Sequence, residues 1–405
     1  MEYELLSKIF YKKPTEYESI YDARFNSEAS IKLPIKIHEN VGFIFNTNEI
    51  TKLLVKIYKA INKINLLRTH LPNIAINSYI IKSLKDEIAL TNEIEGVRST
   101  RKEIEDAIDS IKNDKSARFK GLVDKYFKLI SNEIIPLNNC KDIRTIYDAL
   151  VLPEIEKENL PDGILFRKEP VQVMSATQKE KHRGIMSESK IIESLDLCLD
   201  FLKNDDIDSL IKISAFHYLF GYIHPFYDGN GRLSRFISSY LITQEFAPVL
   251  AYRLSYTIKE NIKEYYEAFK TCNDPRNQGD LTPFVLMFLR VLKISMEQLI
   301  VGLEKRKGQL EYYETLLGNF AKSEEIKNED VIKMLFVLVQ SELFSERGIS
   351  TQELLEFLEI SRSTLKKIME SIQNYGLIKK MKRGTKNFFG IYLEELEKLV
   401  HASSK

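Results

Sequence analysis

ISAFHYLFGYIHPFYDGNGRLSRFISSYLI, residues 213–242, is apolar helical sequence with a single interruption. One helix delivers the chain to His224-Pro225, four consecutive turn formers follow at Asp228-Gly229-Asn230-Gly231, and a second helix resumes with Arg232. A break of this kind is either a plain interhelical turn or a binding loop. Glycines at 229 and 231 remove Cβ atoms and let backbone N–H groups turn inward, while the following helix brings its positive end to the same point, which together make an anion cradle. A phosphate chain fits such a cradle. Arg232 and Arg235, three apart on the first turn, share the side facing it and supply bidentate phosphate contacts. Asp228 offers a hard oxygen suited to Mg2+, an ion that takes only one or two carboxylates from a protein. His224 has the chemistry to accept a proton from an attacking hydroxyl.

Outward from the loop the chain is mostly helical. N-terminal to it, helix-period runs begin near Asn48 and again at Asn73, the second stopping at Gly96, where a C-terminal glycine belongs. Further helices are expected at about 101–113, 115–134, 141–150, 187–203 and 207–222, and beyond the loop at about 232–245, 257–272 and 281–317, the last long or broken. Residues 166–185, FRKEPVQVMSATQKEKHRGI, lack helical period and read as a small hairpin, the only sheet expected in the helical domain. Residues 1–40 contain β-prone pieces such as Ile31–Ile37 and are left unassigned. A polar stretch, AKSEEIKNED, separates off the final segment, which reads as helices at 330–341, 350–359 and 361–374, then the strands LIKKM and NFFGIYL joined by Lys382-Arg383-Gly384-Thr385-Lys386. This is the order of a winged helix. Its third helix and wing gather Arg362, Lys366, Lys367, Lys379, Lys380, Lys382, Arg383 and Lys386, a local basic surface of the kind that meets a phosphate backbone, although winged helices also dock proteins.

Composition narrows the rest. A chain of 405 residues, 44% hydrophobic, has material for two or three domains. With 59 Lys+Arg against 58 Asp+Glu, the whole molecule offers no large field for nucleic acid or membrane, so such binding must be regional. Cys140, Cys198 and Cys272 are odd in number and in no metal-ligand spacing, which fits structural cysteines in a reducing compartment. The N-terminus lacks a signal or transit pattern and no 18-residue apolar run exists, so the expectation is a soluble, cytoplasmic protein with no membrane partner.

His224–Arg235 resembles the signature of the Fic family, HPFx(D/E)GNGRxxR, at every specified position, and the resemblance runs from about residue 80 to about 290. It implies a mainly α fold: a helical core with a β-hairpin flap over the target site, here followed by the C-terminal winged-helix domain. It implies an AMP transferase acting on Ser, Thr or Tyr hydroxyls of a target protein, and possible self-modification, with ATP and Mg2+ and with pyrophosphate released. By this resemblance His224 deprotonates the target hydroxyl and Asp228 holds the metal. Asn230 and the N–H groups around Gly229 and Gly231 bind the α- and β-phosphates, Arg232 and Arg235 hold the β- and γ-phosphates, Leu233 and Ser234 belong to the same nucleotide loop, and Phe226 fixes the loop in the core. KENIKEYYEAFKTCND, residues 259–274, resembles the helix of the nucleoside pocket and makes Asn261, Tyr265, Tyr266 and Asn273 candidate contacts. In the hairpin, HRGI departs from the apolar, proline-containing edge common in the family.

Thr91-Asn-Glu-Ile-Glu95-Gly96 matches the inhibitory pattern (S/T)xxxE(G/N) of many Fic proteins. Glu95 closes a helix whose carbonyls repel a carboxylate unless a cation compensates. The resemblance supplies Arg235 as that cation, the ion pair taking the place of a γ-phosphate contact, as in the class whose inhibitory helix precedes the catalytic core. The expected division is an N-terminal Fic-associated region at 1–80, the inhibitory helix segment at 81–97, the catalytic core at 98–300, a linker helix at 301–328 and the winged helix at 329–400. Alternatives left open are AMP removal, transfer of another nucleotide group, and a DNA-binding regulator whose loop senses nucleotide. Helices such as 51–68 are candidates for pairing in a homodimer.

Overall fold

The computed structural model describes residues 3–113, 117–131, 133–174, 180–246, 249, 253–345, 347–383 and 386–403. Its chain divides into two compact units, Met1–Asn62 with Ser83–Glu297, and Lys63–Lys82 with Gln298–Lys405. No helix among the described residues is long and apolar enough to cross a membrane.

The N-terminal residues left unassigned from sequence form α1 (Leu6–Lys12), α2 (Tyr17–Phe25) and an antiparallel pair, β1 (Ser30–Ile37) and β2 (Asn40–Phe45). The expectation that 166–185 would hold the only sheet of the helical domain is therefore corrected. Pro34 lies inside β1, and the register shifts between Lys32 and Lys36, as a residue without a backbone donor requires. Leu6, Ile9, Tyr17 and Phe43 bury a small core between these elements. The hairpin turn at His38 docks on the first unit's interior: its N–H donates to Tyr222 Oη at 2.9 Å, and its Nε2 lies 2.8 Å from the Asn273 carbonyl.

Next come α3 (Asn48–Thr69), α4 (Asn73–Ile94), α5 (Arg101–Asn113), α6 (Lys120–Ile130) and α7 (Cys140–Leu150). The expected 115–134 helix is shorter because Phe119 takes a left-handed φ of 63° just before it. The hairpin is present as β3 (Gln172–Met174) and β4 (Glu180–Arg183), with 175–179 outside the described residues. Then follow α8 (Glu188–Leu202), α9 (Ser209–Ile223), α10 (Asn230–Glu245), α11 (Leu254–Glu260), α12 (Ile262–Cys272) and α13 (Thr282–Ser323). Two helices replace the one expected at 257–272. Asn261 leaves helical geometry (φ −116°, ψ 34°), and its side-chain amide donates to the Thr257 carbonyl at 2.8 Å, a local bond that competes with helix continuation.

α9 is the centre of this unit. Of its fifteen residues all but Ser209 and Gly221 are buried, the signature of a helix apolar on every side. Asp208 caps it, accepting from the N–H groups of Leu210 and Ile211. α8 and α10 pack on either side of it, so the break between α9 and α10 is held by two rigid elements. Cys140, Cys198 and Cys272 are buried and free.

The second unit completes its core with α14 (Glu329–Phe344), β5 (Ile349–Ser350), α15 (Thr351–Leu358), α16 (Arg362–Ser371), β6 (Ile378–Arg383), β7 (Lys386–Ile391) and α17 (Leu393–Ser403). The sheet order is β5-β7-β6, antiparallel throughout, with Arg383 opposite Lys386. Ser350 and Ser361 cap α15 and α16, the former in a capping box with Glu353. Leu338, Leu354, Leu365, Leu377 and Leu396 form its interior. β5 and α17 are additional to the sequence reading. Gly384 and Thr385 of the expected wing turn lie outside the described residues.

Candidate active site

Backbone geometry builds the loop first. Phe226 is fully buried, stacked on Tyr147 at 3.6 Å between centroids and edge-on to Phe166 at 5.3 Å. The Asn230 side chain closes the turn, its Oδ1 accepting from Phe226 N–H at 3.0 Å and its Nδ2 donating to the Phe226 carbonyl at 2.8 Å. That amide is thus turned to its own loop. Tyr147 Oη adds a bond to the Asp228 carbonyl at 3.2 Å. Gly229 sits at φ 84°, a left-handed position, and a side chain there would also run into Val151. α10 starts at Asn230, so the N–H groups of its first turn have no intrahelical partner and are available to an anion.

Charge is concentrated at this helix start. Arg232 is buried, and its Nε and Nη2 have no hydrogen-bond partner among the described residues; Asp228 Oδ2 is 3.8 Å from Nη2. Asp228 itself is 43% exposed at the side chain, with one oxygen on the Gly229 N–H at 2.5 Å. A buried guanidinium short of acceptors at a helix N-terminus, beside an accessible carboxylate, fits a phosphate chain with a divalent cation. Leu233 and Ser234 are both buried; the Ser234 hydroxyl donates to the Gly231 carbonyl at 3.1 Å, so neither turns a free polar group outward.

Arg235 is spent on α4. Its Nε donates to Thr91 Oγ1 at 2.8 Å, and its Nη2 donates to the Thr91 carbonyl at 3.0 Å and to Glu95 Oε1 at 2.8 Å. Burial opposes the arginine's charge, and the Glu95 carboxylate together with Tyr265 and Tyr126 outweighs it, so its pKa stands above the ordinary value. Glu95 sits against Gly231: a Cβ there would meet its carboxylate and lie 3.0 Å from Arg235 Nη1. The second glycine of the loop makes room for an anion, and the anion in that room is Glu95. Gly96 follows at φ 74°, where Val97 N–H returns to the Asn92 carbonyl at 2.9 Å and ends the helix.

His224 caps α9 in the left-handed region (φ 54°, ψ 63°), its N–H on the Phe220 carbonyl at 3.0 Å and its Nδ1 3.3 Å from the Gly221 carbonyl. The nucleoside-pocket candidates divide. Tyr265 is buried, bonded to His217 Nε2 at 2.8 Å and within the field of Arg235 and Glu95. Tyr266 is 42% exposed and feels the same two charges. Asn273 Oδ1 accepts from Tyr218 Oη at 2.5 Å, and the Asn261 amide donates to the Thr257 carbonyl, so both are held by structural contacts.

Three buried polar residues at the site have no sequence motif. His217 lies between Ser238 Oγ and Tyr265 Oη, each at 2.8 Å, with its pKa pushed down to about 3 by burial and by Arg235. Glu87, fully buried one turn before Thr91, accepts from Ser255 N–H and from Ser255 Oγ at 2.5 Å. Burial raises its pKa to about 7 against the pull of those bonds and of Arg235. Arg167 is the third. Only the four-residue spacing of Glu87, Thr91 and Glu95 was available in the sequence as a signal.

Residues 138–242 match the family model described as the Fic/DOC family. Protein adenylyltransferase fic-1 of Caenorhabditis elegans is 25% identical over 182 residues, 42% of this chain and 34% of that protein. Its counterpart in Caenorhabditis briggsae is 27% identical over 124 residues, 30% of this chain and 22% of that protein. The alignments thus span about a third or less of the curated relatives. Among solved structures, a Fic family protein from Desulfovibrio desulfuricans G20 shares the fold with a TM-score of 0.52 at 18% identity, over 86% of this chain and 97% of that one. The HPFYDGNGRLSR loop, closed on Phe226 at the start of α10, lies within residues 138–242, the part of the chain that is similar to the Fic/DOC family.

Proposed function

We propose that the chain is a protein adenylyltransferase that transfers AMP from ATP to a Ser, Thr or Tyr hydroxyl and is restrained by Glu95. Arg232 carries the reading: a buried guanidinium at the start of α10 whose Nε and Nη2 lack hydrogen-bond partners among the described residues, close to Asp228, is a binding group for a polyphosphate. Arg232 and the α10 N–H groups would take the phosphates, and Asp228 a Mg2+ completed by phosphate and water oxygens. The metal would neutralise charge on the departing pyrophosphate. His224 takes the proton as the target oxygen bonds to the α-phosphorus and the bond from that phosphorus to the β-phosphate bridging oxygen breaks. Glu95 holds Arg235 on α4, withdrawing it from the γ-phosphate and leaving the donor out of line. The names of the curated relatives support the same chemistry.

The test is transfer of label from Mg-ATP to the chain itself or to a lysate. α-Labelled ATP delivers label and γ-labelled ATP does not; His224→Ala abolishes it. Transfer from γ-labelled ATP contradicts AMP transfer, and label released from pre-modified protein selects AMP removal.

A second activity is proposed for the second unit, contact with duplex DNA. Arg362, Lys367, Lys380, Lys382 and Lys386 are exposed and make no ion pair among the described residues, on a helix and hairpin that flank a groove of about 1030 Å³. A 25-base-pair duplex is expected to bind with log affinity falling linearly against log salt, by about 0.9 per phosphate contact. Lys380→Glu with Lys386→Glu reduces that slope by about two; no salt-dependent binding removes the proposal.

A further inference from the structure

We infer that Arg167 and Gly184 form a clamp that sets the position of the His224 imidazole, making Arg167 a positioning residue for the proton transfer. The inference rests on His224 acting as the base.

Arg167 is fully buried, and among the described residues no carboxylate pairs with it. A lone buried cation is costly unless its donors are met. Four carbonyls meet four of its five N–H donors. Nε donates to His224 O at 2.8 Å, Nη1 to Glu169 O at 2.7 Å, and Nη2 to Ile185 O at 2.8 Å and to Ile223 O at 3.4 Å. Ile223 and His224 end α9, where carbonyls lack intrahelical partners and the helix dipole is negative, so a cation is favoured there. The Arg167 N–H reaches one residue further, to Pro225 O at 3.2 Å.

These bonds converge on a strained residue. The left-handed backbone of His224, at φ 54°, is unfavourable in a residue with a side chain and persists only where the surroundings over-determine it. Phe220 holds its N–H and Arg167 its carbonyl, so the peptide from which the imidazole projects is fixed on both sides. Ile185 ties the flap to the same guanidinium, and Ile185 N–H also donates to Ile223 O at 3.1 Å. Gly184 completes the arrangement. A Cβ there would collide with Arg167 Nη2 and stand 3.1 Å from both His224 Cβ and the Ile223 carbonyl. The HRGI sequence at the end of β4 therefore has a steric reason: only glycine lets the flap pass this close to the base.

Lysine keeps the charge but not the planar fork that reaches three chain segments at once. In a Glu95→Gly background, Arg167→Lys is expected to lower kcat for AMP transfer about 10- to 100-fold, the scale of a misplaced reacting group, with KM for ATP unchanged within about twofold. Gly184→Ala shifts kcat in the same direction with ATP affinity retained, and it carries the test if Arg167→Lys does not fold. Rates are taken per ATP-binding site, so loss of folded protein does not register as loss of kcat. Full kcat in both folded variants, or parallel losses of kcat and ATP affinity, overturns the inference. Undiminished transfer in His224→Ala overturns the reading beneath it instead, so the two failures are distinguishable.

Discussion

Glu87 and Thr91 on α4 and Glu95 just past its end lie at four-residue intervals, and two of the three hold Arg235. The third is a buried acid whose pKa stands near 7 rather than near 4.5. Between those values the unfolded chain holds fewer protons than the folded one, so this residue's contribution to stability falls as pH rises from about 4.5 to about 7. Glu87→Gln removes that penalty. Urea unfolding of variant and parent should show a stability difference that grows across this window to on the order of 3 kcal/mol above it, and a difference independent of pH contradicts the assignment. The pairing of Glu95 with Arg235 was legible because both sit in patterns of known spacing. Glu87 and Arg167 were not, since a carboxylate capping α11 and a guanidinium on four carbonyls depend on partners 168 and up to 57 residues away.

At the level of elements, the loop is strong because aromatic packing and backbone closure agree. Phe226→Ala removes a ring stacked on Tyr147 and is expected to cost about 3–5 kcal/mol by denaturant titration. Gly229→Ala forces a side chain into the left-handed region and against Val151, with a loss of about 1–2 kcal/mol and weakened ATP binding by calorimetry. Neutral behaviour of both would mean the loop is not held as described. Long amphipathic and buried helices were readable from period alone. The breaks were less so: Asn261 divides α11 from α12 by a side-chain bond, and Phe119 delays α6 by a left-handed turn. α1, α2, β1 and β2 are short, and Pro34 interrupts the alternation that would have marked β1.

Across the whole molecule, residues 63–82 belong to the same compact unit as the C-terminal residues 298–405, a long-range association no local pattern encodes. Stability and activity meet at α4. Glu95→Gly takes from the buried Arg235 its carboxylate partner, leaving it on Thr91 and Tyr265, and should lower stability by about 1–3 kcal/mol. Mg-ATP, supplying the missing anion, should then raise the variant's Tm more than the parent's. An equal rise in both would separate Arg235 from the nucleotide. The most direct measurement compares the parent, Glu95→Gly, and Glu95→Gly with His224→Ala, each incubated with Mg2+ and α-labelled ATP. AMP transfer by His224 under restraint by Glu95 predicts label that rises in the single variant and vanishes in the double. Equal labelling of all three proteins, or none in any, contradicts it.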